Sequence, residues 1–141
     1  MNKNGGRIDI VDGVNPCTTG GAMCAGGRIV IRAFPPTSGG GYTSIKQTFT
    51  ARPSRRYTIN YMYRCVNYEN RPKISMYYKN VLLGSTLCPA SATTAFSFTS
   101  PGIFFFTTDE TGVGEIEFRF YNPDNLPSLY FYADKFEATL V

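Results

Sequence analysis

The chain of 141 residues contains no histidine and no tryptophan. Without histidine, the common Ser–His and Cys–His nucleophile pairs cannot be assembled. A zinc site of mixed cysteine and histidine ligands is excluded for the same reason. Without tryptophan, the chain lacks the broadest plane for stacking on a crystalline polysaccharide. No run approaches the roughly 20 apolar residues that a membrane helix needs, so no membrane partner is expected. There is no P-loop, and the glycines of TTGGAMCAGG do not form a strand–GxGxxG–helix unit. No N-x-S/T acceptor occurs. The start, MNKNGG, has no apolar core of an export signal. If the protein is exported, this chain is a processed form with an added Met.

What is present is aromatic and turn-rich: 11 Phe and 10 Tyr, with 14 Gly and 9 Pro to punctuate them. Phe, Tyr and Thr favour strands, while Gly and Pro favour the turns between them. The apolar share of 43% is that of a globular chain rather than a disordered one. The length fits one domain over residues 1–141. The formal charge is +4. Its basic residues are scattered apart from Arg52, Arg55 and Arg56, which read as a solvated turn. No RNP-like motif or basic stripe accompanies the aromatics, so nucleic acid is not an expected partner.

Alternation of period two recurs along the chain. It is clearest from Arg56 to Tyr78, RYTINYMYRCVNYENRPKISMYY. Tyr57, Ile59, Tyr61 and Tyr63 alternate with Thr58, Asn60, Met62 and Arg64, and Ile74, Met76 and Tyr78 with Lys73, Ser75, Tyr77 and Lys79. This stretch reads as a hairpin whose turn is VNYENRPK, with Tyr78 to Leu83 carrying its second strand onward. Further strands are expected in RIDIVDG, RIVIRAF, YTSIKQTFTA, AFSFTS, GIFFFTT, EIEFRFY and LYFYADKFEATLV. GSTLCPASA reads as a loop. No sustained 3.6-residue apolar period with caps is present. Nine or ten short strands with turns between them indicate an all-β antiparallel sandwich or jelly roll. Tyr57, Ile59, Tyr61, Phe49, Phe118, Phe120 and Phe136 are its expected core.

The four cysteines, Cys17, Cys24, Cys65 and Cys88, suit two disulfides in a secreted domain. Local spacing pairs Cys17 with Cys24 and Cys65 with Cys88, one of the three connectivities open to four cysteines. Four buried thiols in a cytosolic protein are the alternative.

The run SIKQTFTARPSRRYTINYMYR resembles a strand–turn–strand pattern of carbohydrate-binding-module-like (galactose-binding-like) jelly rolls of secreted fungal proteins. YFYADKFEATL resembles the closing strand of that fold. The resemblance covers about residues 40–141. It implies a bridge between Cys65 and Cys88 across the middle strands. It also implies a structural calcium held partly by Asp134, with Asp9 or Asp12 standing in for the family's opening glutamate. The family's N-x-x-F-E-x-G opening is absent, and RIDIVDGVNPC stands in its place. No other cofactor is expected.

The outward-facing side chains then become the candidate ligand site: Tyr77, Arg119 and Glu117, with Arg64 and Tyr121 at the margin and Met62 beside them. A tyrosine ring can stack on the C–H face of a sugar, while guanidinium and carboxylate groups take hydrogen bonds with hydroxyls. The expected function is non-catalytic binding of a glycan or cell-wall polysaccharide. The alternative is an extracellular structural or interaction protein, a cell-wall, adhesion or effector module, whose sandwich surface binds a host or wall protein. A small glycoside hydrolase or lyase would need two carboxylates across a cleft. Glu115 and Glu117, about 7 Å apart by strand rise, stand on one wall instead.

Overall fold

The computed structural model describes residues 6–12, 29–89 and 102–141, without the side chains of residues 10–12, 29–30 and 134–135. Cys17, Cys24 and the expected strand AFSFTS lie outside the described residues. All the described elements are strands: β1 Arg7–Asp12, β2 Ile29–Phe34, β3 Tyr42–Thr50, β4 Arg56–Val66, β5 Lys73–Tyr78, β6 Val81–Leu87, β7 Phe104–Thr107, β8 Val113–Tyr121 and β9 Tyr130–Leu140. They build a five-stranded sheet, β1-β2-β9-β4-β7, packed on a four-stranded sheet, β3-β8-β5-β6. This is the expected jelly-roll sandwich.

Each sheet presents its alternate apolar residues to the other. Ile59 and Tyr61 from β4, Ile74 and Met76 from β5, and Ile116, Phe118 and Phe120 from β8 are all buried. Phe49, Tyr57 and Phe136 are partly buried against them. Tyr61 meets Phe118 edge-on at 5.2 Å and stacks with Phe136 at 5.9 Å. Phe106 stacks against both Tyr57 and Tyr78, at 5.4 and 4.8 Å. The aromatic surplus of the composition is therefore largely a core of ring pairs. The two buried tyrosines of β4 keep a polar tip satisfied. Tyr61 donates to Thr86 Oγ1 and Tyr63 to the Leu87 carbonyl, both at 3.3 Å.

The expected central hairpin is corrected. β4 belongs to the five-stranded sheet and β5 to the other, so VNYENRPK crosses between sheets instead of turning back. Asn67, Asn70 and Arg71 adopt positive φ along this crossing. The disulfide Cys65–Cys88 ties the crossing down, joining β4 to the residue that follows β6, with Cα atoms 6.0 Å apart. The Cys88 N–H donates to the Pro72 carbonyl at 2.7 Å, and Arg71 Nε donates to the Cys88 carbonyl at 2.8 Å. The stretch Tyr78 to Leu83 is also corrected. β5 ends at Tyr78, and Lys79 and Asn80, both at positive φ, turn the chain back as β6. Gly84 to Leu87, expected as loop, lies in that returning strand.

Candidate functional site

Register decides which side chains share the outer face of the four-stranded sheet. On β8, Glu117 lies opposite Lys46 of β3 and Tyr77 of β5. Arg119 lies opposite Ser44 and Ser75, and Tyr121 opposite Tyr42. Side chains opposite one another in a pair point to the same face. Tyr77, Glu117, Arg119 and Tyr121 therefore come together, joined by Tyr42, Lys46, Lys73 and Ser75.

The centre of this face is Arg119. Its guanidinium carbon lies 4.0 Å from the ring centre of Tyr77 and 4.8 Å from that of Tyr42. The planar cation is thus held against two aromatic rings. Lys73 Nζ sits 5.0 Å from the Tyr121 ring centre, and the rings of Tyr42 and Tyr121 are 5.1 Å apart. Beneath them Glu117 is buried, with Oε1 2.9 Å from Arg119 Nη2. That approach lies outside good hydrogen-bond geometry, and neither Glu117 Oε1 nor Arg119 Nε has a hydrogen-bond partner. The pair attracts mainly through charge, and part of its polar capacity is unspent. Burial opposes the charge on Arg119, but interaction with Glu117 and Tyr121 outweighs it and holds the guanidinium above its usual range. A hydrogen bond with Tyr121 likewise holds the Tyr77 hydroxyl above its usual range. At the margins, Ser75 and Ser85 share a 2.7 Å hydrogen bond, and Lys46 Nζ is 3.9 Å from Glu115.

Arg64 is not part of this face. It sits on β4 of the five-stranded sheet, is buried, and lies 5.6 Å from the Tyr132 ring centre. Met62 shares its strand and its parity. A single sheet of β4 and β5 would put both beside Tyr77, but the crossing between sheets reverses their direction. Tyr42 and Lys73 are the residues that sequence reasoning missed. The inward parity of Ile45 already turned Tyr42, Ser44 and Lys46 outward, but only the β3–β8 register places them beside Arg119.

Asp134 stands opposite Met62 in the β4–β9 ladder, and its side chain lies outside the described residues. Asp9 does not suit calcium. Its Oδ2 is 3.2 Å from Arg7 Nε and 3.5 Å from Arg32 Nη2, and two guanidiniums repel a divalent cation. Among the described residues, no three acidic, cysteine or histidine side chains come together to hold a metal.

No protein-family model matches the sequence, and a search of curated proteins finds no relative. Solved structures do resemble it. The CBM22-1 xylan-binding domain of Xyn10C from Paenibacillus barcinonensis superposes with a TM-score of 0.62 at 10% identity, over 100% of this chain and 85% of that one. The carbohydrate-binding module TmCBM61, solved with β-1,4-galactotriose, gives 0.57 at 11% identity, over 99% and 91%. The Stig cyclase Fisc from Fischerella sp. TAU gives 0.63 at 13% identity, over 100% and 78%. At such identities the likeness is one of fold, a β-sandwich that the carbohydrate-binding modules and the cyclase share.

Proposed function

We propose that this chain is a non-catalytic carbohydrate-binding domain of a secreted protein, and that it binds a polysaccharide on the outer face of the four-stranded sheet. The observation that carries the reading is the tier Tyr42–Arg119–Tyr77 above the buried Glu117. Pre-stacked rings offer their free surface to the C–H face of a pyranose, and the guanidinium, held from below by the buried Glu117 carboxylate, meets its hydroxyls. The similar xylan-binding and galactotriose-bound modules support the choice of ligand class. The similar cyclase is a reminder that one fold hosts several chemistries. Here Glu115 and Glu117 share a single strand face, which suits binding better than acid–base cleavage. A disulfide between the sheets suits an oxidising compartment.

A shallow polar face must desolvate hydroxyls as well as bind them, so affinities of about 10 μM to 1 mM are expected. Affinity electrophoresis in xylan and galactan, preceded by a glycan array, tests this. The wild type should be retarded by at least one polysaccharide. Tyr77→Ala should lose most of the retardation while keeping the wild-type melting curve. Arg119→Ala should lose it as well, and should melt earlier because it leaves the buried Glu117 carboxylate unpaired. Equal retardation of both variants would move the site off this face, and reducing-sugar release would refute the non-catalytic reading. A protein partner is the second reading, favoured by the exposed apolar side chains Val81, Leu82, Ile103 and Phe105 on the β6 and β7 edges. It takes the lead if the wild type binds no glycan.

A further inference from the structure

The space between the sheets holds a second feature, chemically unlike the outer face. An apolar pocket of about 320 Å³ is walled by Ile45 and Phe49 of β3, Ile59 of β4, Ile116 and Phe118 of β8, and Phe136 of β9. Its rim carries Lys46, Gln47 and Glu137, all exposed. Topology explains the opening. β3 is an edge of its sheet. In the other sheet β2 pairs with β9 only through Ile31, Arg32 and Ala33, opposite residues 131–133. Among the described residues, the stretch 136–138 therefore has β4 on one side and no strand on the other. Among the described residues, these two edges flank the mouth.

Close-packed interiors contain few voids larger than a water molecule. An apolar cavity of ~150 Å³ stays dry and accommodates a benzene ring. One of about 320 Å³ has room for two fused rings. We propose that this pocket is a binding site for an uncharged bicyclic aromatic compound of the size of indole. The rings of Phe49, Phe118 and Phe136 supply face and edge contacts, and the isoleucines supply dispersion. Lys46, Gln47 and Glu137 at the rim can meet one polar substituent pointing outward. A sugar does not fit, because the walls offer its hydroxyls almost no partners and each would be buried unpaired. The apolar walls of the pocket are therefore distinct from the polysaccharide face, although the two share Lys46 at the rim.

The test is isoleucine-methyl NMR on the full oxidised chain, titrated with indole. Methyl signals of Ile45, Ile59 and Ile116 should shift saturably. Those of Ile74, buried elsewhere, and of exposed Ile103 should stay in place. Ile45→Trp, which fills the pocket from the edge strand, should abolish the saturable shifts while retaining a dispersed methyl spectrum. Ala138→Phe provides the same block from β9 if the first variant does not fold. Absence of saturable shifts at millimolar indole overturns the proposal. Shifts of equal size at Ile103, or undiminished binding in the folded blocking variants, overturn it as well.

Discussion

Asn122 shows how a single buried amide can hold two loops. It is fully buried. Its Nδ2 donates to the carbonyls of Pro36 and Leu126, both at 2.9 Å, and its Oδ1 accepts from the Leu126 N–H at 2.8 Å. Pro36 precedes β3 and Leu126 lies between β8 and β9, so this side chain positions the β3 and β8 ends that carry Tyr42 and Tyr121. Asn122→Ala leaves a donor and two acceptors without partners, and should cost about 1–3 kcal/mol, read by urea denaturation. Arg119 is the corresponding residue on the outer face. Lysine could replace its charge but not its plane, which lies against Tyr77 and Tyr42. Arg119→Lys should therefore weaken polysaccharide retardation nearly as much as Arg119→Ala, with the fold unchanged. If lysine restores binding fully, charge alone is what the face uses.

The elements owe their shape to a few positions where alternation is broken or compressed. Asn80, at φ 67°, completes the tight β5–β6 turn. An L-residue there without a short polar side chain meets the left-handed penalty of about 1–2 kcal/mol, so Asn80→Ala should lose about 1 kcal/mol in chemical denaturation. Gly114 sits under the Phe49 ring, and a Cβ there would lie 2.5 Å from Cζ of that ring. Phe49 is itself held by Phe106 and Tyr78. Gly114→Ala should therefore cost about 1–3 kcal/mol, as overpacking does, and should disturb the methyl signal of nearby Ile116. The period-two pattern made the strands of β3, β4 and β8 and most of their core faces legible. The sheet each strand joins was not legible, since alternation says which residues share a face but not which strand lies alongside. That is why β4 and β5 read as a hairpin and Arg64 as a neighbour of Tyr77. The Lys79–Asn80 turn was hidden because it lacks the glycine that usually marks such turns. β9 hid a bulge: Phe131 and Ala133 face inward, yet so does Phe136, and the register shifts opposite Asn60 and Met62. Tyr77, Glu117, Arg119 and Tyr121 could be proposed from parity alone. Tyr42 and Lys73 needed the register of three strands.

At the scale of the molecule, two sheets lean on one aromatic core, and among the described residues Cys65–Cys88 is the covalent tie between them. β4 is an inner strand of its sheet, while β6 is the edge of the other. The bridge therefore joins the interior of one layer to the margin of the next, across the crossing from β4 to β5. It closes a sequence separation of 23 residues, a loop whose restriction in the unfolded chain is worth about 3 kcal/mol. The local hydrogen bonds of Cys88 and Arg71 do not depend on the bond between the sulfurs, and Tyr68 still donates to the Pro89 carbonyl at 2.8 Å. Loss of the bridge should thus lower stability without changing the architecture. Cys65→Ala/Cys88→Ala should retain the wild-type far-ultraviolet spectrum and shift the urea midpoint downward by the equivalent of about 3 kcal/mol. The outer face of the four-stranded sheet meets the bridge only near Lys73, whose neighbour Pro72 accepts from the Cys88 N–H. That bond does not need the sulfurs, so polysaccharide retardation of the folded double variant should match that of the wild type. A double variant that unfolds entirely would show that the two layers do not hold together on packing alone. One that is folded but no longer retarded would show that the bridge, and not strand register, sets the spacing of Tyr42, Arg119 and Tyr77.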